Sequence, residues 1–254
     1  MVNKKHDLKY QGRYAKNATT KIRNLKSTKP IFFTRGRHIM TKAKNADEFI
    51  ARQRQAVAQN PECGTSHYNL AIGLMGQKKY DEAEKHLHEA IECSPSLAEA
   101  FVALGGIALQ RGDLDSCLNY NRSAVKARPG FSEGWGNIGF IELQKGNIDE
   151  AIKALEKATT FNFRYVQAFA NLANAYLLSG RVDDSIEAGL KALKLHPDFA
   201  PAHNNLAIAY LEKGQHQPAI EHCARAVELG YEVPAEILKQ VEKLKKQQAA
   251  DRSQ

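Results

Sequence analysis

The sequence predicts an all-α chain of tandem helical hairpins. Three observations predict it: one apolar pattern returns every 34 residues, each unit holds two amphipathic segments, and in four of the five units a glycine separates the two. His67, Phe101, Trp135, Phe169 and His203 form one bulky column. Leu70, Leu104, Ile138, Leu172 and Leu206 form the next, each followed by a small residue: Ala71, Gly105, Gly139, Ala173 and Ala207. Further on come Ala83, Cys117, Ala151, Ser185 and Ala219, then an all-alanine column of Ala90, Ala124, Ala158, Ala192 and Ala226. Most units close on a proline, at Pro61, Pro95, Pro129 and Pro197.

Apolar residues three and four apart put one sticky face on each short helix. Gly112, Gly146, Gly180 and Gly214 can take the left-handed conformation that ends a helix, so the second helix turns back onto the first. Alanine and glycine at the contact columns let the axes approach closely. Each hairpin then buries one face internally and offers another to its neighbour, so stability comes from stacking rather than from any single unit.

These columns resemble the tetratricopeptide-repeat (TPR) pattern W-x-x-L-G-x-x-Y, then A, F, A and P, over about residues 64 to 231 as five repeats. The resemblance implies a right-handed solenoid of hairpins. The departures are local. Phe163 and Tyr231 stand for the closing proline, Asn121 and Gly189 for a large residue on the second helix, and Lys78 for the turn glycine.

The ends read as caps. Asn45, with Glu48 three residues on, starts a helix over 45–61 whose Phe49, Ile50, Ala56 and Val57 resemble the second helix of a missing half-repeat. Five repeats and a C-terminal capping helix occupy 62–248: after Pro234, an Ile237, Val241 and Leu244 stripe is opposed by Lys239, Lys243 and Lys246. Residues 249–254 read as a frayed tail. Residues 1–44 read as a basic, disordered leader. Within 1–39 there are eleven Lys or Arg against one acidic residue, Asp7, leaving 25 basic and 27 acidic side chains for the rest of the chain. The overall charge of +8 therefore belongs to the leader. Met40, directly before the cap, is a second candidate translation start.

The resemblance also places a binding face on the first helix of every hairpin. One column of that face reads Asn69, Ala103, Asn137, Asn171 and Asn205, similar to the asparagine ladder of O-linked N-acetylglucosamine transferase TPR domains, although no transferase domain follows. Carboxamides offer both a donor and an acceptor to an extended peptide backbone. Asn174 and Asn204 add amides to the same surface; Tyr68, Phe140 and Leu177 are the apolar contacts. These side chains are expected to be exposed, so that replacing Asn137 and Asn171 by alanine weakens peptide binding and leaves unfolding nearly unchanged. The column that carries lysine in chaperone-tail binders reads Tyr68, Val102, Gly136, Ala170 and Asn204, so no cation is there to clamp a terminal carboxylate.

No catalytic constellation emerges. His86 and His88 are two apart on a helix and point to different faces, and Cys117 and Cys223 sit in packing columns as buried structural thiols. His67 and His203 read as packing residues. The expectation is a non-enzymatic, cofactor-free and metal-free adaptor, cytoplasmic and bacterial, whose partner is a protein or peptide. Two alternatives stand beside it: a self-assembling scaffold resembling the magnetosome-associated TPR protein MamA, with a homo-oligomer as its form, and a tether that holds nucleic acid or an anionic membrane through residues 1–39.

Overall fold

In the computed structural model, residues 46–251 are described; the expectations for the leader, for Asn45 as a helix start and for residues 252–254 lie outside them, while residues 249–251 of the expected frayed tail continue the last helix. Among the described residues there are twelve α-helices and no strand. They are α1 (Ala46–Gln59), α2 (Gly64–Gly76), α3 (Tyr80–Cys93), α4 (Ala98–Gln110), α5 (Leu114–Ala127) and α6 (Ser132–Lys145), then α7 (Ile148–Phe161), α8 (Val166–Leu178), α9 (Val182–Leu195), α10 (Ala200–Glu212), α11 (His216–Glu228) and α12 (Ala235–Asp251). They form two compact units that divide within α6, between Ile141 and Glu142.

In the first unit α1 packs on α2, α2 on α3, α3 on α4 and α4 on α5. Phe49 and Ile50 of α1 join Leu70, Leu74, Leu87, Leu104 and Ile107 in one core, closed by the fully buried Ala71, Ala83 and Ala90. In the second unit α7, α8, α9, α10, α11 and α12 pack successively, and α8 also touches α10. Ala158, Ala192 and Ala226 of the all-alanine column are fully buried. Ile237 and Val241 of α12 pack with Cys223 and Ala226 of α11, while Lys239, Lys243 and Lys246 are exposed.

One turn recurs after each first helix. Gly112, Gly146, Gly180 and Gly214 have φ between +72° and +81°, and the residue after each donates its N–H to a carbonyl five residues back, as Asp113 does to Ala108 and Arg181 to Tyr176. That bond satisfies carbonyls the helix end would leave open. Lys78 makes the same turn at φ 61°, with Lys79 donating to Leu74. A left-handed L residue costs roughly 1–2 kcal/mol. Glycine's freedom in the unfolded chain returns roughly 0.4–1 kcal/mol of that. Lys78→Gly should therefore stabilise the protein by about 0.5–1 kcal/mol, read as a rise in the thermal midpoint.

The proline departure at Phe163 is absorbed locally. Asn162 Oδ1 accepts from the Arg164 N–H at 3.0 Å, and Tyr165 N–H donates to the Asn162 carbonyl, as Phe131 does to Arg128 in the proline-closed unit. An Asx turn thus does what proline does elsewhere. Phe163 itself is 75% exposed.

Candidate functional site

The expected binding face lies on the first helices. In the first unit Tyr68 and Asn69 are half-buried on α2, with Tyr68 packed against the core. Asn137 of α6 is only 2% exposed. Its Nδ2 donates to Asn121 Oδ1 at 3.0 Å, and Asn121 Nδ2 donates to the Cys117 carbonyl at 2.8 Å. Asn121 is fully buried, in space that glycine leaves on α4: a Cβ at Gly105 would lie 2.6 Å from Asn121 Nδ2. Phe140 is buried on α6.

In the second unit Asn171 is buried on α8 and accepts from Gln167 Nε2 at 3.0 Å. Asn205 is buried on α10 and donates to the Ala170 carbonyl at 2.9 Å, tying α10 to α8. Asn204 is buried as well; its Nδ2 lies 3.5 Å from Asn205 Oδ1, the outer limit of a hydrogen bond. Its Oδ1 and Ser185 Oγ are, among the described residues, buried side-chain polar atoms without a partner. Asn174 and Leu177 stay half-buried.

The expectation of an exposed ladder is thereby corrected. Asn137, Asn171, Asn204 and Asn205 are interior side chains, and of the named amides Asn69 and Asn174 keep partial exposure. The cause is the alanine and glycine columns beside them, which let adjacent helices close over a short amide. Asn121 and Gln167, partners in these amide pairs, were not singled out as functional. Gly105 sixteen residues before Asn121, with Asn137 sixteen after, is the signal that could have found the first.

Burial pushes the Cys117 thiol up to about 12 and raises that of Cys223. In a shallow cleft between α7, α8 and α9, the Tyr176 hydroxyl donates to Glu156 Oε1 at 2.8 Å and is pushed up to about 12 by burial and by that carboxylate. The Arg181 guanidinium lies 4.3 Å from the Tyr176 ring centroid. Among the described residues no group of three or more His, Cys, Asp or Glu could hold a metal ion, and no helix is long and apolar enough to cross a membrane.

Tandem hairpins with small-residue seams define a helical-repeat protein. Residues 64–97, 132–165 and 200–229 match the family described as tetratricopeptide repeat, and residues 173–214 match the related TPR repeat family. The chain is a tetratricopeptide-repeat protein. Solved structures agree in fold. YrrB, described as a TPR protein with an unusual peptide-binding site, is 17% identical over 75% of this chain and 97% of its own, with a TM-score of 0.62. PilF of Pseudomonas aeruginosa is 20% identical over 76% of this chain and 87% of its own, with a TM-score of 0.65. MamA of Desulfovibrio magneticus RS-1 is 22% identical over 66% of this chain and 94% of its own, with a TM-score of 0.58. No curated protein matches the chain. The repeats support a protein-interaction adaptor or scaffold, of a class that is in general non-catalytic, and the solved structures share their fold.

Proposed function

We propose that the chain is an adaptor that binds an extended peptide segment of a partner protein along the faces of its first helices. In the first unit half-buried Tyr68 and Asn69 make the direct contacts, with Asn137 and Phe140 bracing that unit from inside; in the second unit half-buried Asn174 and Leu177 make them, braced by Asn171, Asn204 and Asn205. The observation that carries the reading is the partial exposure of Asn69 and Asn174, carboxamides left half open on α2 and α8. Their chemistry suits a peptide backbone, which presents N–H and C=O in alternation. The peptide-binding site named for YrrB supports the same reading by analogy of fold. In this proposal α1 and α12 are solvating caps. The four described cysteines are free, which fits a reducing cytoplasm.

Each backbone hydrogen bond contributes only about 0.5–1.5 kcal/mol net, so affinity of roughly micromolar order is expected. The test selects ligands for the full chain from a displayed library of unstructured peptides, then measures them against Asn69→Ala with Asn174→Ala. The expected result is a loss of about tenfold in affinity, about 1.4 kcal/mol, with the unfolding midpoint unchanged. Equal affinity for both proteins would sink the proposal. A steep fall of binding with salt would move it to the basic leader, and concentration-dependent self-association without peptide binding would favour the scaffold.

A further inference from the structure

Two histidine pairs recur at one place in the hairpin. In the first unit His67 of α2 meets His86 of α3, Nδ1 to Nδ1 at 3.1 Å, and its Nε2 lies 2.9 Å from the Pro61 carbonyl oxygen. In the second unit His203 of α10 meets His222 of α11 at 2.8 Å, with Nε2 2.9 Å from the Pro197 carbonyl oxygen. The ring planes are inclined at 43° in both. His67 and His203 are buried. The same two positions in the other repeats hold Phe101 and Tyr120, Trp135 and Ala154, and Phe169 and Ala188, none of which changes charge near neutral pH. Trp135 Nε1 makes the corresponding bond to the Pro129 carbonyl at 2.7 Å.

The bonds dictate the protons. A carbonyl oxygen only accepts, so Nε2 of His67 and of His203 carries hydrogen. Their Nδ1 atoms then accept, and Nδ1 of His86 and His222 must donate. One further proton fits on the outer nitrogen of the donating ring. A second does not, because two N–H groups on two cations would then oppose each other. We infer that the paired imidazoles are acid-labile latches, which release the α2–α3 and α10–α11 hairpins on acidification while the hairpins closed by Phe, Trp and Tyr hold.

The surroundings support this. His86 faces His67, the Glu82 and Glu89 carboxylates on its own helix, and Arg54 of α1, which pairs with Glu82 at 2.5 Å. Burial first, then His67, holds the His86 imidazole below its ordinary value despite the two carboxylates. His222 faces His203 and Glu221 and lies against the Tyr210 ring, with centroids 5.6 Å apart. Nearby, Asp198 is engaged by Arg225 and feels His203, and Lys245 of α12 faces the adjacent Cys223. Burial, then His203, holds the His222 imidazole down. The sign follows: the unfolded chain binds more protons, so the contribution is complete above the ordinary value of 6.5 and is lost as pH falls below it. His67 and His203 directly precede Tyr68 and Asn204, so on the proposed function peptide would leave the face at the same pH.

The experiment compares the full-length protein with a variant that copies the intervening repeats: His67→Phe with His86→Tyr, and His203→Phe with His222→Ala. Amide hydrogen-exchange protection is measured at about pH 7.5 and about pH 5, on either side of the imidazole range. Protection in α2, α3, α10 and α11 of the wild type is expected to fall about tenfold more than in α4, α5, α8 and α9, and the variant is expected to lose this difference. Nitrogen NMR of the wild-type imidazoles provides a second reading that does not depend on the variant folding. It should show Nε2–H tautomers for His67 and His203, with His86 and His222 titrating below free histidine. Uniform loss of protection across all hairpins, or four rings titrating together at the ordinary value, would overturn the inference.

Discussion

Asn137→Ala is expected to destabilise the protein by about 1–3 kcal/mol, because it leaves the fully buried Asn121 Oδ1 without its donor. The size follows from an asymmetry. A buried hydrogen bond contributes little net stability, because the unfolded chain bonds to water instead. An acceptor stranded in the interior loses both partners and bears the full desolvation cost. The readout is a lower urea midpoint with an unchanged slope. Asn121→Ala should behave similarly, since it strands Asn137 Nδ2. The double variant removes both ends of the bond, so its loss should be well below the sum of the single losses. Wild-type stability in Asn137→Ala would place the amide in solvent, as the ladder pattern alone suggested.

Gly189→Leu is expected to cost about 3 kcal/mol, near the upper end for overpacking. The repeat pattern argues for the opposite sign, since Leu87 and Leu155 fill the same column in two other repeats. In α9, however, a Cβ at Gly189 would lie 2.8 Å from Leu206 Cγ and 2.9 Å from its Cδ2. Leu206 is fully buried on α10, so it cannot swing away into solvent. The next repeat thus supplies the side chain that this one omits. Combining Gly189→Leu with Leu206→Ala returns volume to the seam from the other side, and should recover more than half of the lost stability in thermal and urea unfolding. Failure of that rescue would mean that backbone movement, rather than the Leu206 contact, sets the cost.

Asn121 and Gly189 are the two places where the second helix departs from its pattern, and each is matched by a partner in contact with it. Asn121 occupies the room left by Gly105 and bonds forward to Asn137, whereas Gly189 admits Leu206. From the 34-residue columns alone both looked like defects. The columns identify equivalent positions in different repeats, but not which unlike positions touch. The histidines were half legible for the same reason. Their burial followed from the bulky column, but the Nδ1 contact across nineteen residues depends on how one helix lies upon another.

The sequence by itself determined the helices, their turns and their seams. Helical periodicity fixes which side chains share a face; glycine at Gly112, Gly146, Gly180 and Gly214 ends a helix at little conformational cost; and alanine at Ala90, Ala124, Ala158, Ala192 and Ala226 permits close approach. These are local properties, set by residue type and spacing. Tertiary structure decided which polar groups meet and which remain half open: Asn137 bonds inward to Asn121, Asn205 to Ala170, and His67 to His86, while Asn69 and Asn174 stay partly exposed. The physical reason is range. A hydrogen bond is made or lost over a few tenths of an ångström, and helix packing sets separations on that scale where the spacing of residues along the chain does not.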